Sequence, residues 1–486
     1  MLFGSAGSGS LAAAFTGFVE LRQRALMMNT LVLGFGAAAC AFCIGAPLGA
    51  ALARCDPRRV TLARLVFVVP LVLPSYVLAL AWIVLFGAHS FSWVYGLPAS
   101  IAVLGLSLYP IVMLASEAAL RSVPSRLEEA GRLVAAPSRV WLKITLPLMM
   151  PALSASWLVV FVLAISDFSV PGLLRVRVYT TEVFTAFAAL YDFRLAAVMA
   201  LPLAGVAAVA SLAALELARR PSVARADRAQ SGIVWSQRAQ RLAALGIGVA
   251  GIVAAAVPIG AIVIEALDGR SALADAVSVE AARNSVVWSA AGASLVVIIG
   301  ALLGYWRLKA KPRLGRVAEG MWVTMFAVPA TIVGIGITGV WNRPGLLGDI
   351  YRTDAIVMLA YLSRFLPIGA LLCAAFLQRI TSGVEEAALV SGASWARTFL
   401  RIVVPLSIEG LAAVWLVMFI LMFGDVALAI LVAPPGESNL AVRAYTLIAN
   451  SPTSDVARLA LVQIVISVLP LAAIAALLRR RTAPAR

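Results

Sequence analysis

The chain has 486 residues, of which 62% are hydrophobic and only 13% are charged, and its formal net charge is +16. A soluble domain of this length carries far more charge, and the basic residues here fall between long apolar runs, so both a soluble protein and a nucleic-acid-binding protein are excluded. Many runs reach the ~20 residues with which a helix crosses the hydrocarbon core of a bilayer. We therefore predict an all-α polytopic membrane protein.

The apolar runs predict eleven transmembrane helices, five in the first half of the chain and six in the second. The first five lie at about 28–53, 62–87, 98–120, 149–172 and 195–218. The next six lie at about 241–266, 283–306, 319–341, 354–376, 408–432 and 457–478. The segment 1–27 contains no full span. Its apolar patch at 11–19 is either a partial or re-entrant helix, or the chain begins further upstream.

The loop charges predict the orientation of these spans. With eleven spans, every loop rich in Arg and Lys lies on one side, as do the basic linker 219–240 and the C-terminal tail. By the positive-inside rule this side is cytoplasmic. We predict a multi-pass protein of the inner membrane with a cytoplasmic C-terminus.

The residue types that form metal sites, catalytic sites or nucleotide-binding loops are scarce in this sequence. Cys40 and Cys43 have metal-ligand spacing but lie inside an apolar run, where small inert side chains are the better interpretation. The only histidine, His89, is isolated. None of the three lysines follows a glycine as a P-loop requires, so the chain itself cannot bind ATP in that way. We predict no cofactor and no metal site in this chain.

An internal repeat relates the two halves. At a shift of 255, Asn29-Thr30 recurs as Asn284-Ser285, Gly45 and Gly49 as Gly300 and Gly304, and Pro74 as Pro329. At a shift of 258, Glu128, Ala130, Arg139, Ile144, Pro147 and Asp167 recur as Glu386, Ala388, Arg397, Ile402, Pro405 and Asp425. These matches predict two parallel repeats about an axis along the membrane normal, with modules at 28–218 and 241–482.

The longest loops within the modules, 121–148 and 379–407, lie on the predicted cytoplasmic side. The second contains Glu386-Ala387-Ala388, Gly392, Ile402 and Pro405; the first contains Glu128, Ala130, Ile144 and Pro147, with Val134 in place of the glycine. Alanine and an early acid favour a short helix, glycine permits a sharp turn, and proline fixes the backbone where the next span begins. We predict two short helices along the membrane surface in each loop. Val134 leaves the turn of the first loop open, with Gly131 as an alternative.

The spacing of these residues resembles the EAA motif of binding-protein-dependent ABC importer permeases. The chain as a whole resembles two fused MetI-like transmembrane modules. The stretches Ser166–Leu174 and Tyr179–Phe184 are similar to the iron(III)-type permeases. The resemblance implies a permease that is not itself an enzyme. Its expected partners are two copies of an ABC ATPase docked on the loops, an extracytoplasmic solute-binding protein and membrane lipid.

Asp167 and Asp425 are the candidate substrate-pathway residues. Each lies near the outer end of the span that follows a loop, and the resemblance implies that this span lines the pathway. Acids within spans usually face the bundle interior, and carboxylates suit a hard cation. An equally weighted interpretation is a helix-end acid hydrogen-bonded to backbone near Pro171 or the 433–436 loop.

The solute stays open at this point: iron(III) or a related small solute is expected, with thiamine, phosphonate and polyamine as alternatives. An ion-coupled secondary transporter also carries repeats and membrane acids, but it has no reason to carry two matched loops. A membrane enzyme has no support, because the sequence shows no nucleophile–base set and no cluster of metal ligands.

Overall fold

The computed structural model describes residues 21–55, 57–87, 92–219, 256–268, 276–378, 382–434, 436–448 and 450–482, with a few single residues between these ranges. This part of the chain is helical and contains no strand, which confirms the all-α class. The patch 11–19, the linker from residue 220 onward and nearly half of the predicted span 241–266 lie outside the described residues. By its contacts the chain forms two compact units, 1–271 with 451–461 and 272–450 with 462–486.

Unit 1 contains both long apolar helices and short connecting ones. They are Leu21–Arg54, Pro57–Val72, Ser75–Gly87, Leu97–Ser122, Ser125–Val134, Pro137–Val140, Leu146–Ser166, Ser169–Leu173, Tyr179–Ala188, Phe193–Arg219 and Val257–Asp268. From its own first span onward, unit 2 has long and short helices in the same order as unit 1. Its helices are Ala276–Lys309, Pro312–Ala327, Ala330–Trp341, Leu346–Tyr351, Ala355–Leu377, Ser382–Val390, Trp395–Thr398, Val404–Phe423, Ala429–Val432 and Leu440–Leu447. The last helix, Thr453–Thr482, begins in unit 1 and ends in unit 2.

Among the described residues, eight helices are long and apolar enough to cross a membrane, or ten if each of two bent pairs counts as one span. The bent pairs correct the prediction of straight spans at 62–87 and 319–341: their two halves meet at 95° and 93°. The repeated prolines Pro74 and Pro329 lie at these breaks. A proline cannot donate an N–H and disfavours helical backbone in the residue before it, and Val328 accordingly has an extended ψ of 126°.

Two further predicted spans, 149–172 and 408–432, are too long. Their helices end at Ser166 and Phe423, and short helices follow them at Ser169–Leu173 and Ala429–Val432. Hydropathy extended these spans because the short helices are themselves apolar.

Close helix packing explains part of the repeat. In unit 1 the helix Leu21–Arg54 packs along Leu97–Ser122, and in unit 2 the helix Ala276–Lys309 packs along Ala355–Leu377. A Cβ atom on Gly49 would lie 2.1 Å from the Met113 carbonyl oxygen, and one on Gly304 would lie 2.8 Å from the Ala374 nitrogen. Only glycine lets the two backbones approach this closely.

The repeated Asn-Thr and Asn-Ser pairs perform the same task in both units. The Thr30 hydroxyl accepts a hydrogen bond from the Tyr179 N–H at 2.8 Å, and the Ser285 hydroxyl accepts one from the Leu440 N–H at 2.6 Å. Each satisfies an N–H that has no partner within its own helix, because Tyr179 and Leu440 are the first residues of helices. The first span of each unit is thereby joined to a short helix far along the chain.

Candidate functional site

Each of the two loops begins with a short helix; we name them loop helix 1 (Ser125–Val134) and loop helix 2 (Ser382–Val390). The second predicted short helix of each loop is instead the start of the next span, because Pro137–Ser166 and Trp395–Phe423 are continuous helices.

Pro147 and Pro405 therefore lie inside a helix and not at its start. Each follows a π-helical turn, at Trp141–Thr145 and Phe399–Val403. The wider turn accommodates a proline ring that would otherwise clash with the carbonyl four residues earlier.

The turns that end the loop helices differ. Gly392 has a left-handed φ of +80°, as the sequence predicts for this position. In the first loop the helix ends at Val134, and Ala135 continues in extended conformation with φ −148°. Gly131 does not form the turn. It lies buried within loop helix 1, where a Cβ would approach the Ile144 Cδ1 atom to 2.9 Å.

Glu128 lies on the buried face of loop helix 1. Its Oε1 atom lies 2.5 Å from the Arg54 guanidinium and accepts a hydrogen bond from the Thr145 hydroxyl at 2.7 Å. Arg54 is the last residue of the first span helix. The carboxylate therefore faces the interior of unit 1.

Glu385 takes the same place in unit 2. It forms an ion pair with Lys309, the last residue of its own first span helix, and accepts a hydrogen bond from the Tyr305 hydroxyl at 2.9 Å. Glu128 therefore corresponds to Glu385, and its predicted pairing with Glu386 is wrong by one position.

The reason for this error is the length of the turn. From the buried helix position to the first residue of the next helix, loop 1 runs from Gly131 to Pro137 and loop 2 runs from Ala388 to Trp395, one residue further. The shift of 258 aligns the two modules correctly after the turn. Before the turn it is too large by the one extra residue of loop 2, so it pairs Glu128 with Glu386 and not with Glu385.

The exposed faces of the loop helices carry the remaining predicted residues. Ala130 and Ala387 are exposed, together with Glu129 and Glu386, whereas Ala388 is buried. The helix ends present exposed apolar side chains, with Leu133 87%, Val134 85% and Val390 90% exposed. Exposed acids beside an apolar tip fit contact with another protein. The described residues contain no group of three His, Cys, Asp or Glu side chains placed to hold a metal.

Sequence reasoning assigned no role in the site to Arg54, Lys309, Glu129 or Glu385. Arg54 and Lys309 were recognisable, because they match at the same shift of 255 as the repeated glycines.

Asp167 directly follows the helix Leu146–Ser166 and contacts the bend between Pro57–Val72 and Ser75–Gly87 in unit 1. Its carboxylate accepts hydrogen bonds from the Ser75 hydroxyl at 2.5 Å, the Ser169 hydroxyl at 2.9 Å and the Val170 N–H at 2.9 Å. Ser75 directly follows Pro74. Asp167 thus joins the end of one helix to the start of the half-helix beyond the bend.

Asp425 occupies the corresponding place in unit 2. It accepts a hydrogen bond from the Leu428 N–H at 2.7 Å, and its Oδ2 atom lies 3.3 Å from the Arg364 Nε atom. Arg364 also donates to the Val328 carbonyl at 3.2 Å, immediately before the bend at Pro329. Both aspartates therefore accept a hydrogen bond from backbone just after their helices, as the helix-end interpretation requires. Asp167 accepts it from Val170, next to Pro171 as predicted, whereas Asp425 accepts it from Leu428 and not from the 433–436 loop.

A family model described as "Binding-protein-dependent transport system inner membrane component" matches residues 45–223 and again residues 296–486. A putative ferric transport system permease protein of Haemophilus influenzae is 25% identical over 346 residues, which cover 66% of this chain and 54% of that relative. The chain thus spans about half the length of this relative.

Two shorter matches accompany it. A putative ABC transporter permease protein of Streptomyces antibioticus is 28% identical over 215 residues, covering 44% of this chain and 90% of the relative. A putrescine transport system permease protein of Escherichia coli is 32% identical over 170 residues, covering 30% of this chain and 56% of the relative.

Proposed function

Because the chain belongs to the family of binding-protein-dependent transport system inner membrane components and carries the family's module twice, we propose that it forms the transmembrane pathway of an ATP-driven importer. The observation that carries this proposal is the pair of loop helices. Each presents an exposed acid and an apolar tip, and each is held to its own unit by a buried acid.

In this proposal the two loops, with Glu129 and Glu386 on their exposed faces, lie on the cytoplasmic side. Two copies of a separate ABC ATPase dock there, bind ATP and drive alternating access between the modules. A solute-loaded extracytoplasmic binding protein docks on the opposite side of the inner membrane. The chain supplies the path, and the partner subunits supply ATP hydrolysis.

For the solute we propose iron(III) or a related small solute. The ferric permease among the relatives supports iron, and the putrescine permease supports a polyamine as the second candidate; thiamine and phosphonate are further alternatives from the sequence. Asp167 is the better pathway candidate of the two acids, since its partners are neutral hydroxyls and an N–H. Asp425 lies against the Arg364 guanidinium, which offsets its charge.

Reconstitution with the partner ATPase and the binding protein tests the function. We expect loaded binding protein to stimulate ATP hydrolysis, and Glu386→Lys to abolish uptake by reversing an exposed charge at the docking surface. Uptake that survives Glu386→Lys, or a loaded binding protein without effect, contradicts the proposal. Uptake that proceeds without any ATPase, driven by an ion gradient, identifies a secondary transporter instead.

Competition between solutes tests the second half of the proposal. Uptake of labelled iron(III) that excess putrescine leaves unchanged supports iron. Uptake of labelled putrescine that excess iron(III) leaves unchanged supports a polyamine. Asp167→Asn keeps a hydrogen-bond acceptor but removes the charge. We expect it to raise the solute concentration required for half-maximal uptake, with Asp192→Asn, an exposed acid of the same unit, as control.

A further inference from the structure

The loop helix of each unit is joined to the last residue of that unit's first span by an acid–base contact. We propose that Arg54–Glu128 and Lys309–Glu385 are positioning contacts through which displacement of a loop helix reaches the first span of its unit. This inference rests on the proposed function, because an ATPase supplies the displacement.

In unit 1 a single oxygen joins three elements. Glu128 Oε1 belongs to loop helix 1, Arg54 ends the first span, and Thr145 lies in the π turn that leads into the next span. The Arg54 and Glu128 side chains are only 6% and 4% exposed. Water therefore screens the contact little, and removal of either partner leaves a buried charge.

In unit 2 different residues make the same three-way connection. Glu385 belongs to loop helix 2, and Lys309 and Tyr305 belong to the last turns of the first span. The Tyr305 ring lies 5.1 Å from the ring of Phe399, in the π turn. The connectivity recurs although lysine takes the place of arginine and the hydroxyl donor comes from Tyr305 of the first span and not from the π turn, which indicates that the connection itself is the shared feature.

The positions of the charges suit this role. Glu128 and Glu385 lie in the first turn of their helices, and Arg54 and Lys309 lie in the last turn of theirs, where the helix dipoles favour these signs. Glu128 is the charged side chain that loop helix 1 buries; the other buried residue of this helix is Gly131. The exposed neighbours Glu129 and Glu386 remain available to a partner, so docking and transmission are assigned to adjacent acids.

The experiment compares Glu385→Gln with Glu386→Gln in the chain reconstituted with its ATPase and binding protein. Unit 2 is chosen because Lys309 is 49% exposed, so a lost partner leaves it solvated. Glu385→Gln is expected to lower solute transported per ATP at saturating ATPase by about fivefold, the low end of typical coupling between sites. Glu386→Gln is expected to raise the ATPase concentration required for half-maximal hydrolysis instead.

Two further variants separate transmission from folding. Tyr305→Phe removes one hydrogen bond while keeping the ring, and we expect a smaller loss of transport per ATP. Exchanging the charges, with Lys309→Glu and Glu385→Lys together, is expected to restore more than half of the transport per ATP that Lys309→Glu alone removes.

A readout independent of transport tests the contact itself. A spin label on Val390→Cys, at the exposed end of loop helix 2, is expected to become more mobile in Glu385→Gln and not in Glu386→Gln. Unchanged label mobility or unchanged transport per ATP in Glu385→Gln overturns the proposal. If the unsubstituted complex shows no stimulated hydrolysis while the label becomes mobile, the proposed function fails and the contact between loop helix and span stands.

Discussion

At Gly392 in the second loop, the backbone conformation alone, and not the surrounding space, requires a glycine. Its φ of +80° is strained for any residue with a Cβ, although a Cβ there would meet open space. We expect Gly392→Ala to destabilise the turn by about 1 kcal/mol, the usual cost of left-handed backbone for L-residues. The measurement is amide hydrogen exchange over 382–394, which should become faster.

Gly383 provides the matched control within loop helix 2. It also has open space around its Cβ position, but it lies in regular helix. Gly383→Ala is expected to slow exchange, because alanine in a helix is more favourable than glycine by about 1 kcal/mol. Slower exchange in both variants would show that the turn does not need a left-handed residue.

The two aspartates show how far residue chemistry reaches without structure. Their sequence positions indicate acids at the ends of spans, and the hydrogen bonds to Val170 and Leu428 fit that interpretation. The Arg364 partner of Asp425 was not predictable, because it lies on another helix and has Ser107 at the corresponding place in the first module. An ion pair between residues far apart in the sequence produces no periodic pattern of residues from which it could be predicted.

At the scale of elements, the π turns before Pro147 and Pro405 set the rotation of the loops about their spans. One residue more or less in a helical turn rotates what precedes it by about 100°. Pro405→Ala restores an N–H that can donate to the Arg401 carbonyl, and we expect the π turn to become regular α-helix. The distance between spin labels on Val390→Cys and Met321→Cys, two exposed sites of unit 2, should then change.

Pro367→Ala is the control for this element, since Pro367 lies within the helix Ala355–Leu377 with no π turn before it. It is expected to leave the same distance unchanged. The thermal midpoint of Pro405→Ala should stay within about 3 °C of the unsubstituted protein, because one helix hydrogen bond is worth only about 1 kcal/mol. An unchanged distance in Pro405→Ala would mean that packing, and not the proline, maintains the turn.

Hydropathy predicted which segments are helical and where the loops lie, but not how the helices bend. The segments 62–87 and 319–341 have the composition of spans, and composition does not record direction. The bends at Pro74 and Pro329 were visible as matched prolines, yet proline also occurs within helices that continue, as Pro110 does in Leu97–Ser122. Contacts across the unit, such as Ser75 to Asp167, distinguish the two cases.

At the scale of the whole molecule, the repeats are predicted to be parallel. After replacement of the four free cysteines, single cysteines introduced at Val134 and Val390 should react with a membrane-impermeant maleimide only once the membrane is opened. Cysteines at Tyr191 and Glu437, in the loops after Leu146–Ser166 and Val404–Phe423, should react in intact spheroplasts. All four side chains are exposed in the structure.

Each pair contains one site from each module, so the labelling also tests the relation between the modules. Parallel repeats give the same result within a pair, and inverted repeats give opposite results. Opposite reactivity of Val134→Cys and Val390→Cys would contradict both the orientation and the docking of ATPases on one side.

The extra residue in the turn after loop helix 2 has a consequence for how such a protein changes over generations. In a permease assembled from two identical chains, symmetry places every substitution and every insertion in both loops at once. Here the loops are encoded separately, so a mutation in one loop leaves the other unchanged. The left-handed Gly392 on one side and the extended Ala135 on the other are a divergence that a single shared coding sequence cannot accumulate.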